Sequence, residues 1–301
     1  MISTGVVIVT YNRLDLLKEC IDCVLKQNVP FNKIYIINNN STDGTKEYLD
    51  TISNDKINIT NLKQNIGGAG GFSIGVEKAY SELIDWILLI DDDAMLNTNF
   101  NMYINNAINA YPDILAFSGT VITNSKIDFN HRRHLVKPGR FIETHSSPQD
   151  YAKDYFDCDF ASFCGLMISR KIIKNIGFPN KEFFIWYDDT EYSLRIGKYS
   201  KIRNINTATL NHKTLVTSKK EQISWKNYYG RRNQLYIIRK YFQKKDEHKF
   251  LLLSFISILK NKLLHIISRK KKYKYKYTLY IDSIYDAKHG KLGSNKKYLP
   301  K

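Results

Sequence analysis

The chain has 301 residues, 43% of them apolar, which is enough for a sizeable core and excludes disorder along most of its length. Its formal charge of +17 is unevenly placed: residues 1–218 carry 23 Lys/Arg against 24 Asp/Glu, and residues 219–301 carry 23 against 5. A near-neutral region, 1–218, and a basic one, 219–301, are therefore expected to have different tasks.

The first half alternates strand and helix signals. Gly5 to Thr10 (GVVIVT) reads as a fully buried strand, and Leu14 to Leu25 repeats its apolar residues at helical spacing. Asn32 to Ile37 reads as a second strand, Asn38 to Gly44 as a loop, Thr45 to Ile52 as a helix and Ile57 to Leu62 as a third strand. A glycine-rich loop, Gly67 to Gly71, is expected to lead into a helix ending near Ser81. Trp86 to Ile90 is a fourth strand, stopped by Asp91-Asp92-Asp93. This order predicts an α/β fold with a mostly parallel sheet, whose ligands bind beyond the carboxyl ends of the strands. Residues 123–157 are polar and predict a long loop or insertion. Gly165 to Ser169 reads as a strand, Lys181 to Tyr187 as an aromatic loop and Thr190 to Tyr199 as a helix.

In the basic region, Trp225 to Tyr241 predicts a helix, and Phe250 to Ile267 has apolar residues with Lys260, Lys262 and His265 on one side, as in an interfacial helix. Arg269 to Lys272 and the alternating Tyr273 to Tyr277 follow. The longest apolar run, Phe250 to Leu259, stops at Lys260, short of the roughly 18 residues of a spanning helix. The opening MISTGVVIVTYNR has no charged leader before an apolar run, so no signal peptide is expected. Cys20, Cys23, Cys158 and Cys164 make no disulfide framework in a chain this long, and reduced cytoplasmic thiols are expected.

Three carboxylates at the end of a buried strand repel one another and need a cation or a proton. In extended backbone Asp91 and Asp93 share one side, a donor pair suited to Mn²⁺ or Mg²⁺ with phosphate oxygens, and Asp92 faces the other. A solvated acidic turn is the plainer reading. Asp188-Asp189 follows an aromatic run whose apolar wall favours a basic carboxylate; alternatively the pair simply starts a helix. His212 is a metal-ligand type that gains meaning only from its neighbours. The glycines at 67–71 form neither a G-x-G-x-x-G nor a P-loop; they fit close approach of backbone to a ligand, or a flexible turn. Cys20 and Cys23 are expected in helix packing rather than at zinc.

Together, Val7 to Arg13 (VIVTYNR), Asn39 to Thr45 (NNSTDGT), Asn65-Ile66-Gly67, Asp91 to Asp93 and Trp186 to Asp189 resemble the family 2 glycosyltransferases of GT-A fold, over roughly residues 5–235. NIGGAGGF, WYDDTEYSLR, His212 and Tyr228 to Asn233 (YYGRRN) resemble the galactofuranosyltransferases of bacterial cell-surface glycans within that family. The resemblance implies inverting transfer from a nucleotide sugar, a UDP-sugar, to a glycan or lipid-linked glycan acceptor. Thr10, Asn12, Arg13, Asn38, Asp43, Asn65, Gly67, Gly68 and Asp92 would line the donor pocket. Asp91, Asp93 and His212 would hold Mn²⁺ or Mg²⁺. Asp189, beside Asp188, would be the general base; Trp186 would stack on a sugar, and Arg231 or Arg232 would help neutralise the diphosphate. Asn38 stands where the family usually has Asp, so a deoxythymidine donor stays open beside uridine, as does rhamnosyl or other hexosyl transfer. A non-catalytic binding module is the remaining alternative.

The basic region favours an anionic membrane surface over nucleic acid, because the apolar stretch 250–267 is no feature of nucleic-acid binding. A peripheral enzyme on the cytoplasmic face of the cell membrane is expected. Packing of the tail on the catalytic domain, or on a second copy in a homo-oligomer, is the alternative for part of it.

Overall fold

The computed structural model describes residues 2–213 and 223–300; the boundary at 218/219 lies outside them. The chain forms two compact units. One comprises Met1–His134, Thr144–Lys181 and Asp189–Leu215; the other comprises Leu135–Glu143, Glu182–Asp188 and Val216–Lys301. The basic tail thus shares its unit with two short segments of the first 218 residues.

The first unit begins β1 (Thr4–Thr10), α1 (Leu14–Leu25), β2 (Lys33–Asn38), α2 (Thr45–Asp50), β3 (Ile57–Asn61), α3 (Gly67–Ser81) and β4 (Trp86–Asp91). β4, β1, β2 and β3 lie side by side in parallel, with Ile8 opposite both Ile36 and Ile90. The β-branched run of β1 is buried on both faces. Val6 and Ile8 meet Leu17, Ile21 and Val24 of α1 on one side, and Val7 and Val9 meet Phe72 and Val76 of α3 on the other. Such burial contributes about 1.5–3 kcal/mol per large aliphatic side chain, and it needs both helices in place.

Next come β5 (Ala94–Leu96), α4 (Phe100–Ala110), β6 (Ala116–Thr123) and β7 (Lys126–Ile127). After them follow β8 (Arg132–Leu135), β9 (Glu143–His145), α5 (Pro148–Tyr151), β10 (Tyr155–Cys158), β11 (Phe160–Ala161) and β12 (Leu166–Ser169). The unit ends with α6 (Arg170–Ile176), α7 (Asp188–Ile196) and β13 (Ile202–His212). The sheet continues from β4 through antiparallel β12 to β6, β13 and β10, and β13 also pairs with β5.

Three expectations change. The glycines at 67–71 are not a loop: they begin α3. A Cβ on Gly71 would lie 2.6 Å from Val9 Cγ1, and one on Gly75 would collide with Val7, so both let α3 sit close on β1. Residues 123–157 are no bare insertion: they hold β8 and β9, which join β11 just beyond them in a three-stranded sheet. The helix after the aromatic loop starts at Asp188 rather than Thr190. All four cysteines are free thiols, and Cys20 sits in the core under the backbone of Asp91 and Ala94.

The second unit holds α8 (Lys226–Tyr241), α9 (Lys244–Ser268) and α10 (Lys271–Lys288). α9 runs straight through Lys260 and Lys262, where the apolar stretch was expected to stop; by length and composition, with mean hydropathy 1.7 over 18 residues, it is able to cross a membrane. Tyr273 to Tyr277 is helical, so its tyrosines spread around α10 and make no continuous stacking face.

Candidate active site

The carboxyl ends of β1, β2, β3 and β4 lie together, and a lattice of short polar side chains links them. Asn12, in left-handed backbone at φ 53°, receives a hydrogen bond from Thr42 N (2.7 Å) and donates its own N–H to Ser41 Oγ (3.0 Å). Asp43 accepts from Leu14 N and Thr45 Oγ1 and so starts both α1 and α2; these bonds outweigh partial burial and hold its carboxyl below the usual range. Asn65 Oδ1 accepts from Asn39 Nδ2 and Gly67 N. Gly68 faces open space: a Cβ there would meet nothing within 4 Å. Asn38 is buried and already committed, donating to Asn61 Oδ1 (2.7 Å) and accepting from Ser41 N (3.0 Å). The structure therefore gives it loop-holding work rather than a free face for a nucleobase.

At the end of β4 the chain turns after Asp91, so strand alternation does not apply to the triplet. Asp92 is not turned away from Asp93: the Arg13 guanidinium bridges them, with Nη1 3.1 Å from Asp92 Oδ1 and 2.5 Å from Asp93 Oδ2. Thr10 Oγ1 donates to Asp92 Oδ2 at 2.8 Å. Arg13 and Thr10, expected at the nucleotide, here neutralise and hold carboxylates. His212 arrives from 119 residues further along the chain because β13 pairs antiparallel with β5, setting His212 opposite Ala94. Its Nε2 lies 3.3 Å from Asp93 Oδ1.

Burial, with Asp93 and Asp92 close by, pushes the Asp91 carboxyl up to about 7. Burial also raises Asp92, to about 6, against the pull of Arg13 and Thr10. Asp93 goes the other way: His212 and Arg13 overcome its burial and lower it, and Asp93 in turn raises His212. Asp93 Oδ1 has the His212 Nε2 ion pair as its polar contact, and the buried His212 Nδ1 has no hydrogen-bond partner among the described residues. Asp93 and His212, 3.3 Å apart, are the oxygen and imidazole donor types that a divalent cation of the Mn²⁺ type takes, and Asp91 stands two residues before Asp93.

Sequence reasoning missed the layer behind His212. Asp128, His131 and His212 present ligand-type atoms within 4.8 Å of one another, and the two imidazoles meet edge to face. His131 Nδ1 is bonded to Ser162 Oγ (2.7 Å), and its Nε2 lies 3.6 Å from Asp128 Oδ2. Asp128 and His131 sit in the polar stretch read as an insertion, where their D-x-x-H spacing was the available signal. In the same unit Asp189 accepts at Oδ1 from Thr190 N and Oγ1, and Arg133 donates to Thr190 Oγ1.

The second unit builds the aromatic loop before α7. Phe184, Trp186 and Tyr187 all have positive φ, between 64° and 69°, a costly conformation for bulky residues. Buried Asn233 holds it: Nδ2 donates to the carbonyls of Phe183 (2.9 Å), Ile185 (3.1 Å) and Trp186 (2.9 Å). Trp186 is 40% exposed and backs onto Gly230, where a Cβ would lie 2.8 Å from its ring. Arg232 is spent on the carbonyls of Gly293, Glu182 and Phe183, and Arg231 lies over the Tyr280 ring (3.7 Å) with a bond to Ser254. Arg232, with Asn233, therefore clamps a strained loop, whereas the buried Arg231 Nε has no hydrogen-bond partner among the described residues.

A parallel sheet ending in a carboxylate cluster, continued through antiparallel strands that bring back a histidine, is the GT-A architecture. The profile of the family described as "Glycosyl transferase family 2" matches residues 5–177, and the chain belongs to that family. It is 25% identical over 202 residues to galactofuranosyltransferase GlfT1 of Mycolicibacterium smegmatis, covering 63% of this chain and 64% of that protein. It is equally similar, at 25% over 213 residues, to GlfT2 of the same organism, covering 61% of this chain and 31% of the relative. The chain thus spans just under two thirds of GlfT1 and a smaller part of GlfT2. Among solved structures it is similar to GalNAc-T7 with UDP, GalNAc and Mn²⁺, at TM-score 0.65 and 17% identity, over 95% of this chain and 57% of that one. It is also similar to S. aureus TarS 1–349 in complex with UDP-GlcNAc, at TM-score 0.55 and 15% identity, over 83% and 70%.

Proposed function

We propose that this chain is an inverting glycosyltransferase that moves galactofuranose from UDP-galactofuranose onto a hydroxyl of a cell-surface glycan or its lipid-linked precursor, at the cytoplasmic face of a membrane. The observation that carries the reading is the pairing of Asp93 with His212 at 3.3 Å at the carboxyl end of β4, two residues beyond Asp91, with Asp128 and His131 behind His212. The likeness to GlfT1 and GlfT2 supports the choice of sugar.

Asp91, Asp93 and His212 would hold Mn²⁺ or Mg²⁺, which when bound screens the negative charge of the diphosphate leaving group. Arg13 sits beside these carboxylates and adds a second cation there. Asp189 takes the acceptor's proton: Oδ1 is occupied by Thr190, which fixes the carboxyl plane and leaves Oδ2 for the incoming hydroxyl. The oxygen then attacks the anomeric carbon from the face opposite the diphosphate, and the configuration inverts. Trp186, exposed on its clamped loop, offers a flat apolar face for a sugar ring.

Release of nucleoside diphosphate from UDP-galactofuranose, UDP-galactopyranose, UDP-glucose and dTDP-rhamnose, with and without Mn²⁺ and a short galactosyl-lipid acceptor, tests this. Metal-dependent turnover of UDP-galactofuranose alone is expected. Turnover of dTDP-rhamnose instead makes the chain a rhamnosyltransferase. Failure to bind any nucleotide leaves only the binding-module reading.

A further inference from the structure

The polarity of α9 is inverted for a helix facing water. Its inward positions carry Ser254 and Asn261, 1% and 4% exposed, whereas Leu252, Ile256, Leu259, Leu263, Ile266 and Ile267 are 50–72% exposed. These six recur at intervals of four, three, four, three and one residue, so they form one stripe roughly 22 Å long on the outer face. The inner polar groups are satisfied: Ser254 Oγ receives Arg231 Nη2 and donates to Phe250 O, and Asn261 Nδ2 donates to Ser257 O. A contiguous apolar stripe of this size left outside marks a contact surface.

Charge identifies the contact. At about 100° per residue, Lys260 and Lys262 fall not together on one side, as first expected, but on opposite flanks of the stripe, placed for their stems to lie along apolar material while the ammonium groups reach a polar boundary. Between His248 and Ile281 there is no Asp or Glu against nine Lys/Arg. The acids that open the helix are turned to ion pairs, Asp246 with Arg140 and Glu247 with Arg239. A spanning helix would have to abandon the bonds of Ser254 and the packing of α9 on α10.

We infer that α9 lies flat in the headgroup region of an anionic bilayer, with the stripe from Leu252 to Ile267 inserted and Lys260 and Lys262 at the phosphates. This rests on the reading that the acceptor is membrane-borne and names the surface that docks there. The test is sedimentation of the full chain with vesicles of phosphatidylcholine alone or with about 30% phosphatidylglycerol. Leu259→Glu/Leu263→Glu changes only exposed positions; circular dichroism and UDP binding confirm that it folds. Wild type is expected to sediment with the anionic vesicles, the double glutamate variant at least tenfold more weakly. Lys260→Gln/Lys262→Gln should lose about fivefold per lysine on anionic vesicles and little on neutral ones.

Undiminished vesicle binding by the glutamate variant overturns the assignment. So does a wild-type dimer that the variant splits, without vesicle binding, which would make α9 a contact between copies. Resistance to alkaline carbonate extraction would make it a spanning helix. A chain that docks but transfers no sugar sinks only the proposed function. One that transfers sugar to a soluble acceptor and ignores vesicles sinks only the docking.

Discussion

Asn233→Ala should cost this protein more activity than stability. The side chain is fully buried, and its amide nitrogen serves three carbonyls within 3.1 Å, those of Phe183, Ile185 and Trp186. A hydrogen bond contributes about 0.5–1.5 kcal/mol net, and a buried carbonyl left unpaired costs about 1–3 kcal/mol. Two N–H groups are lost and three carbonyls lose their donor, which places the destabilisation at about 2–4 kcal/mol. Loss of the clamp also lets Phe184, Trp186 and Tyr187 leave positive φ, and that relief offsets only part of the loss. The loop then has a lower-energy shape with Trp186 and Asp188 elsewhere, and turnover should fall at least a hundredfold at temperatures where the variant is still folded. Urea denaturation and nucleoside diphosphate release from one preparation measure both quantities. Gly230→Ala presses on the same loop from behind, at 2.8 Å from the Trp186 ring, and should lower turnover with a smaller loss of stability. An Asn233→Ala protein within about 0.5 kcal/mol of wild type and equally active would refute the clamp.

Asp189→Asn should abolish transfer while UDP affinity stays within a factor of about two; loss of UDP binding instead would show that Asp189 is not the base. Gly71→Ala should destabilise by about 1–2 kcal/mol, because overpacking against Val9 (about 1–3 kcal/mol) outweighs the gain of up to about 1 kcal/mol in helix propensity. Gly68→Ala, facing open space, should be neutral or more stable; thermal melts that rank the two equally would defeat the packing explanation. Metal-free protein should lose stability as pH rises from 5.5 to 8. Asp91 near 7 and Asp92 near 6 bind protons in the folded state that the unfolded chain releases near pH 4, and His212, raised by Asp93, acts in the same direction. His131, lowered chiefly by burial, opposes them without reversing the sign. Mn²⁺ takes the place of those protons, so its stabilisation should be larger at pH 8 than at pH 6; the reverse order in melts with and without the ion would remove Asp91 from the ligand set.

Whatever depends on short-range pattern was legible before any fold was known. The run GVVIVT is buried on both faces, so its strand was legible without any partner, and so was the helix Leu14–Leu25 from its apolar spacing. The carboxylates at the end of β4 were legible for the same reason, since a strand that fills a core must release its charges where it leaves. Net charge separated the basic tail from the rest because composition needs no geometry. The tertiary structure alone decided which groups meet. Nothing local marks His212 as a neighbour of Asp93; the β13–β5 register brings it there. Glycines at 67–71 read as a loop by propensity, and only the face of β1 explains why α3 keeps Gly71 and Gly75. Arg232 looked free for phosphate, yet a guanidinium is satisfied equally by carbonyls, and the fold supplied those first. The outward leucines of α9 carry the same message: apolar spacing fixes a helix and its stripe, but which side of that stripe meets the protein is set by the neighbours it packs on.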